Sequence, residues 1–176
     1  MTSTLTRTTP MHAGPGDATD RWYHGISPDH DGGGGRLVLI YDGGPRNGGG
    51  RLVGPLPHRL VRHSPDGFAW GYGGSGPSEL ALNLLLDALG DQAWCPRCGG
   101  AGDEQMADRE GEPYRARCEA CLGSRTSPLA GPAIYQAFKF DHVAGWPSAQ
   151  GWAMSRGEIL AWLAPRRAQA LANWRR

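Results

Sequence analysis

The chain has 176 residues, with 18 basic and 17 acidic side chains for a formal net charge of +1, and 28 Gly and 14 Pro against only 20% charged residues. That length holds one domain with a core, or one domain carrying a small insert, and leaves too little chain for two full-sized domains. The near-neutral charge argues against a dedicated nucleic-acid binder, and the Gly and Pro content against a plain helical bundle.

Residues 1–20 are rich in Thr, Pro, Gly and Ala with one Leu, a composition too poor in apolar surface to offset ordering, so a disordered tail is expected. It lacks the basic flank and apolar run of a secretion signal, and no window reaches the apolar length of a membrane span; a cytoplasmic location is expected. Trp22, Tyr23 and Ile26 predict a short strand, and Arg36–Tyr41 (RLVLIY), apolar on both faces, predicts a central one. Flexible connections are expected at 28–35 and 42–50. Arg51–Val53 reads as a brief third strand, interrupted by Pro55 and Pro57, and His58–His63 as an edge strand.

Ser64-Pro65-Asp66-Gly67 carries Pro and Gly where a tight turn wants them. Phe68–Tyr72 (FAWGY) alternates large and small, so a strand is expected with Phe68, Trp70 and Tyr72 on one core-facing side. The following helix is expected to take Gly76 as cap, Pro77 as first residue and Glu79 in its first turn, where a negative charge is favourable. From Leu80 it is nearly all Leu and Ala, with Glu79, Asn83 and Asp87 as a narrow polar stripe, and Gly90 stops it.

Past the cysteines, Pro128 and Pro132 mark a boundary before a second helix at Ala133–Val143, and Gly145–Gly151 reads as a loop. Ser155-Arg156-Gly157-Glu158 is a capping box ahead of a third helix carrying Ile159, Leu160, Trp162 and Leu163. Pro165 starts or kinks a final basic segment with Leu171 and Trp174 on one side. Arg166, Arg167, Arg175 and Arg176 make that end the candidate nucleic-acid contact.

Gly71-Tyr72-Gly73-Gly74-Ser75-Gly76 satisfies GxGxxG ahead of a helix, so Gly73, Gly74, Ser75 and Gly76 are a candidate anion site. A dinucleotide fold is opposed by the absence of a returning parallel strand, and a serine nucleophile elbow by Pro77, which stands where GxSxG requires Gly. His58 and His63 flank the Ser64 turn, but no spacing forces His63, Asp66 and Ser75 together.

Cys95-Pro-Arg-Cys98 and Cys118-Glu-Ala-Cys121 are the only cysteines. Two CxxC knuckles at this spacing fit a tetrahedral zinc ribbon, and four thiolate ligands leave no open position for catalysis, so one structural zinc per chain is expected. A disulfide pair or a redox CxxC is the alternative. The charged segment Asp103–Arg117 between the knuckles suits a solvent-facing hairpin.

Two resemblances attach to these motifs. Cys95–Gly102 matches the CxxCxGxG repeat of the DnaJ-type chaperone zinc domain, and the second knuckle resembles it as far as Ser124, with Arg125 where Gly is expected. Only two of that domain's four repeats are present, so chaperone activity does not carry over. SPDGFAWGYGGSGPSELALNLL, with YQAFKF and WAMSRGEILAWL downstream, resembles a family of uncharacterised small proteins from bacteria, phages and mobile elements. That resemblance implies an accessory gene and no particular activity.

The expected architecture is α+β: a small antiparallel sheet from residues 21–72 packed by about three helices. Residues 21–92 and 128–176 form the core domain, and a zinc-ribbon-like insert spans 93–127. The leading expectation for function is a non-catalytic zinc-binding accessory protein of phage or mobile-element origin that acts through a protein partner, extending to inhibition of a host defence complex. The alternatives are a nucleic-acid-binding accessory protein using the ribbon and the Arg-rich end, and a phosphate- or nucleotide-binding enzyme using the 71–76 bend.

Overall fold

Every residue from Gly76 to Leu89 is buried, so helix α1 (Ser75–Leu89) is the element around which the rest of the chain packs. The computed structural model describes residues 20–26, 36–43 and 50–174. The fold is α+β. A four-stranded antiparallel sheet runs in the order β3-β2-β1-β6, formed by β1 (Arg21–Gly25), β2 (Val38–Asp42), β3 (Arg51–Pro55) and β6 (Trp152–Ser155). Tyr23 stands opposite Ile40 on one side and Met154 on the other, and with Val38 these residues form the buried face of the sheet. Helices α1, α2 (Pro132–Asp141) and α3 (Arg156–Trp174) supply the other half of the core, through residues such as Leu85, Phe138, Ile159 and Leu163. A separate hairpin of β4 (Asp103–Ala107) and β5 (Pro113–Arg117) lies between α1 and α2 in the chain. Among the described residues no helix is long and apolar enough to cross a membrane.

The polar stripe of α1 faces inward. Asn83 Oδ1 accepts from the amides of Arg59 and Leu60 at 2.9 and 3.3 Å, while its Nδ2 donates to the carbonyls of Leu60 and Glu79. Glu79, fully buried, accepts from the amides of Arg62 and His63 and lies 2.5 Å from His58 Nε2. Asp87 accepts from Arg21 at 2.8 Å and from the buried Tyr23 hydroxyl at 2.9 Å, with Arg59 at 3.3 Å. Segment 58–63 is therefore not the edge strand expected. Its amides are satisfied by side chains of α1 rather than by a neighbouring strand, which meets the same backbone requirement by another route.

Phe68–Tyr72 is likewise not a strand. Gly67 and Gly71 take φ of 102° and 85°, which turns the chain out of an extended path on both sides of Trp70. The three aromatics do not share one face: Trp70 is fully buried and donates to the Gln150 carbonyl, Phe68 is half-buried, and Tyr72 is 49% exposed. The remaining strand of the sheet is β6, which leads from the Gly145–Gly151 loop into the capping box, where no strand was expected. Helix α1 starts earlier than expected, with Gly74 as N-cap and Pro77 as its third residue, so Glu79 lies beyond the first turn and contributes no capping charge. The Ser64 turn is present, with Gly67 N donating to Ser64 O at 3.4 Å. The capping box is also formed: Ser155 N donates to Glu158 Oε2 at 2.7 Å and Glu158 N to Ser155 Oγ at 3.0 Å. The expected disordered tail lies, but for Asp20, outside the described residues, as do Arg175 and Arg176 and most of the 28–35 and 42–50 connections.

Candidate metal centre

The chain leaves and re-enters the core at one point. Trp94 and Thr126 form an antiparallel bridge, Ser127 N donates to Ala93 O at 2.8 Å, and Ser127 Oγ to Gln92 O at 2.6 Å. Between these anchors each CxxC is followed by the same backbone path. Gly99, Gly100 and Gly102 take φ of 61°, 85° and 88°; Leu122, Gly123 and Arg125 take 49°, 73° and 70°. The hydrogen bonds repeat as well, Ala101 N to Cys98 O and Ser124 N to Cys121 O, both at 2.9 Å. The repeats then close on each other: Cys118 N donates to Gly102 O and Cys95 N to Arg125 O, both at 3.0 Å. This approximate two-fold pattern brings the four sulfurs together.

All four Sγ atoms lie within 4.8 Å of one another, with Cys95–Cys118 at 3.9 Å and Cys98–Cys121 at 3.7 Å. A tetrahedron with Zn–S bonds of about 2.3 Å has S···S edges of about 3.8 Å, so these separations match a thiolate cage. A disulfide needs its sulfurs at about 2.05 Å, and all four cysteines are free. The cluster can therefore coordinate a metal ion, consistent with zinc.

The surroundings treat the thiols unequally. Burial raises Cys98, but the amides of Gly102, at 3.3 Å from its sulfur, and Gly100 outweigh that and bring it down to about 7. Cys118 is pushed up to about 12 by its hydrogen bond to the Glu104 carboxylate, together with burial. Glu104 in turn accepts from Arg97 Nε at 2.9 Å, which places a cation beside the cluster. The hairpin beyond is solvent-facing, with the cross-strand pair Met106 and Tyr114 48% and 45% exposed. On the core side, Trp174 packs against the cysteines and its Nε1 donates to Ala120 O at 2.6 Å, inside the second knuckle.

The other candidate residues lie elsewhere. Gly74 caps α1 and its carbonyl accepts from Ser78 N and Oγ; Ser75 and Gly76 are the first two helical residues. Gly73 O accepts from Lys139 Nζ at 3.2 Å, and Lys139 is 4% exposed, its pKa lowered by burial. Arg166 is held by Asp141 at 2.9 Å and lies over Trp162, while Arg167 reaches Gln92 at 2.7 Å, so the two turn toward different neighbours. His63 meets the Tyr135 hydroxyl at 2.9 Å rather than Ser75. Sequence reasoning missed Trp174 as a neighbour of the cluster; nothing in its spacing from the cysteines marks it.

A family model described as a family of unknown function (DUF6166) matches residues 35–98. The matched stretch takes in β2, β3, α1 and the first CxxC, so it overlaps the 93–127 range expected as an insert. Comparison of the chain with curated proteins and with solved structures yields no match.

Proposed function

We propose that the chain is a zinc-binding accessory module in which the metal is structural and the biological work is done by contact with another protein. The observation that carries this reading is the cage of Cys95, Cys98, Cys118 and Cys121 at tetrahedral spacing. Four thiolates would fill the coordination sphere and leave no site for an activated water, so the metal's contribution would be to the folding of the insert. The hairpin held up by that cage offers Met106 and Tyr114 to solvent among charges of both signs, a composition suited to a protein contact. The resemblance of the 64–85 motif to phage and mobile-element proteins supports an accessory role in that setting, with inhibition of a host defence complex as its biological outcome. Metal analysis of the purified protein is expected to give one zinc per chain, lost in Cys98→Ser. Zinc retained by that variant overturns the four-cysteine site. Replacing Met106 and Tyr114 by Ser should abolish partner binding while leaving the zinc in place.

A second reading is favoured by Lys139. Its ammonium is buried against the Gly73 carbonyl beside the start of α1, an environment that would suit a phosphate-bearing ligand at the 71–76 bend. It predicts a nucleotide- or phosphate-dependent rise in melting temperature that Lys139→Met removes; a flat thermal-shift screen discards it.

A further inference from the structure

The two halves of α3 are held very differently. Ile159 and Leu163 in the first half are fully buried in the core, whereas none of the described residues from Ala164 to Trp174 is buried. Pro165 stands at the junction; having no N–H, it cannot donate to the carbonyl one turn back, and it weakens the helix there. Beyond it the helix is fastened by the surface pair Arg166–Asp141, by Arg167 to Gln92, by the half-buried Ala170 and Leu171, and at its end by Trp174. Surface ion pairs contribute little, so the Trp174 ring on the cysteine cluster is the strongest of these holds. Its indole N–H binds the carbonyl of Ala120, one of the two residues between Cys118 and Cys121, inside the second knuckle.

We infer that metal occupancy of the cysteine cluster latches the C-terminal half of α3, with Pro165 as hinge and Trp174 as latch. This rests on the metal reading of the four cysteines. With the metal gone, mutually repelling or protonated thiols no longer fix the Cys118–Cys121 turn, the Ala120 carbonyl loses its orientation, and the helix end is released. The release also remodels a neighbouring surface. Trp174 and Ala170 form one wall of a groove of about 410 Å³ whose other wall is Pro128, Pro132 and Ile134, so the groove exists in this form only while the latch is closed.

The test uses the full chain loaded with zinc, its stoichiometry measured first. Amide hydrogen exchange is then compared before and after removal of the metal by a chelator. Residues 166–174 are expected to exchange about tenfold faster without metal, while Leu80–Leu86 in α1 keep their protection. Because coupling between two sites is reciprocal, Trp174→Ala is expected to weaken zinc affinity, measured by chelator competition, by about tenfold, and Trp174→Phe by less. Unchanged exchange at 166–174, unchanged affinity in Trp174→Ala, or loss of protection throughout α1 each overturns the latch. A chain that takes up no zinc defeats the metal reading itself, and the stoichiometry shows that before any exchange is measured.

Discussion

Arg125 occupies in the second knuckle the place that Gly102 occupies in the first, and it takes the same left-handed backbone, φ 70° against 88°. The reason lies in the hydrogen bonds that follow: the carbonyl of each must turn back to an amide of the opposite CxxC, Cys118 for Gly102 and Cys95 for Arg125. Arg125 offsets part of its strain through Nε, which donates to Gly100 O at 2.8 Å. Leu122, at φ 49° and 64% exposed, has an apolar side chain that makes no such bond, although its carbonyl accepts from Arg117.

Leu122→Gly is therefore expected to stabilise the zinc-loaded protein, by up to about 1 kcal/mol, since a left-handed L-residue costs about that much and little packing is lost. Gly102→Ala is expected to act in the opposite sense. Its φ is already unfavourable for a side chain, and the new Cβ would meet Arg125 Cγ at 2.9 Å. Thermal unfolding and chelator competition on both variants read the two effects, and a destabilised Leu122→Gly contradicts the account.

The inward stripe of α1 makes a second prediction. Asn83→Ala deletes four hydrogen bonds and leaves buried groups of Leu60 without partners, so it is expected to cost about 3 kcal/mol in urea unfolding. Asp87→Asn should cost less, because the guanidinium groups of Arg21 and Arg59 reach solvent. Equal losses would mean that the stripe does not act through the 58–63 backbone.

Metal uptake should release protons. Glu104 and burial push the Cys118 thiol up, to about 12, so it enters the site protonated at neutral pH, whereas backbone amides bring Cys98 down to about 7; both must ionise to bind. Zinc affinity is accordingly expected to fall as pH falls from 8 to 6. Glu104→Gln removes the carboxylate that raises Cys118 and should strengthen binding across that range. Competition titrations at three pH values decide it, and weaker binding by Glu104→Gln would assign Glu104 a supporting role instead.

The histidines set a pH dependence of their own. Burial lowers the pKa of His24 and His142 from 6.5, and the Nε2 of each is buried without a hydrogen-bond partner. The unfolded chain then binds more protons than the folded one, so stability is complete above about 6.5 and declines as pH falls below it. Melting temperature against pH should show that decline between 7 and 5, reduced in His142→Gln. A flat profile refutes the assignment.

What could be read before folding was whatever is decided locally. The cysteines were legible because coordination imposes a short fixed spacing, and the Ser155–Glu158 box because its two hydrogen bonds join residues three apart. The 58–63 segment was not, because its partners are the side chains of Glu79 and Asn83 on a later helix. FAWGY has the alternation of a strand; what denies it that conformation is the backbone at Gly67 and Gly71, where a Cβ on Gly71 would come within 2.8 Å of the Trp146 carbonyl. β6 is four residues in which only Trp152 and Met154 turn toward the core, too short a pattern to separate from a loop.

β6 also fixes an order of events. Trp22 pairs with Ser155, so one edge of β1 is filled only by a strand from near the far end of the chain, after α1 and the cysteine hairpin have been made. Until Trp152–Ser155 emerges from the ribosome, β1 presents open amides and carbonyls to any neighbouring chain. A truncation ending at residue 151 is accordingly expected to associate, visible as light scattering absent from the 176-residue chain. The distant pairing makes the interval before β6 is made, rather than the forming of the metal loop, the one in which β1 is exposed to other chains.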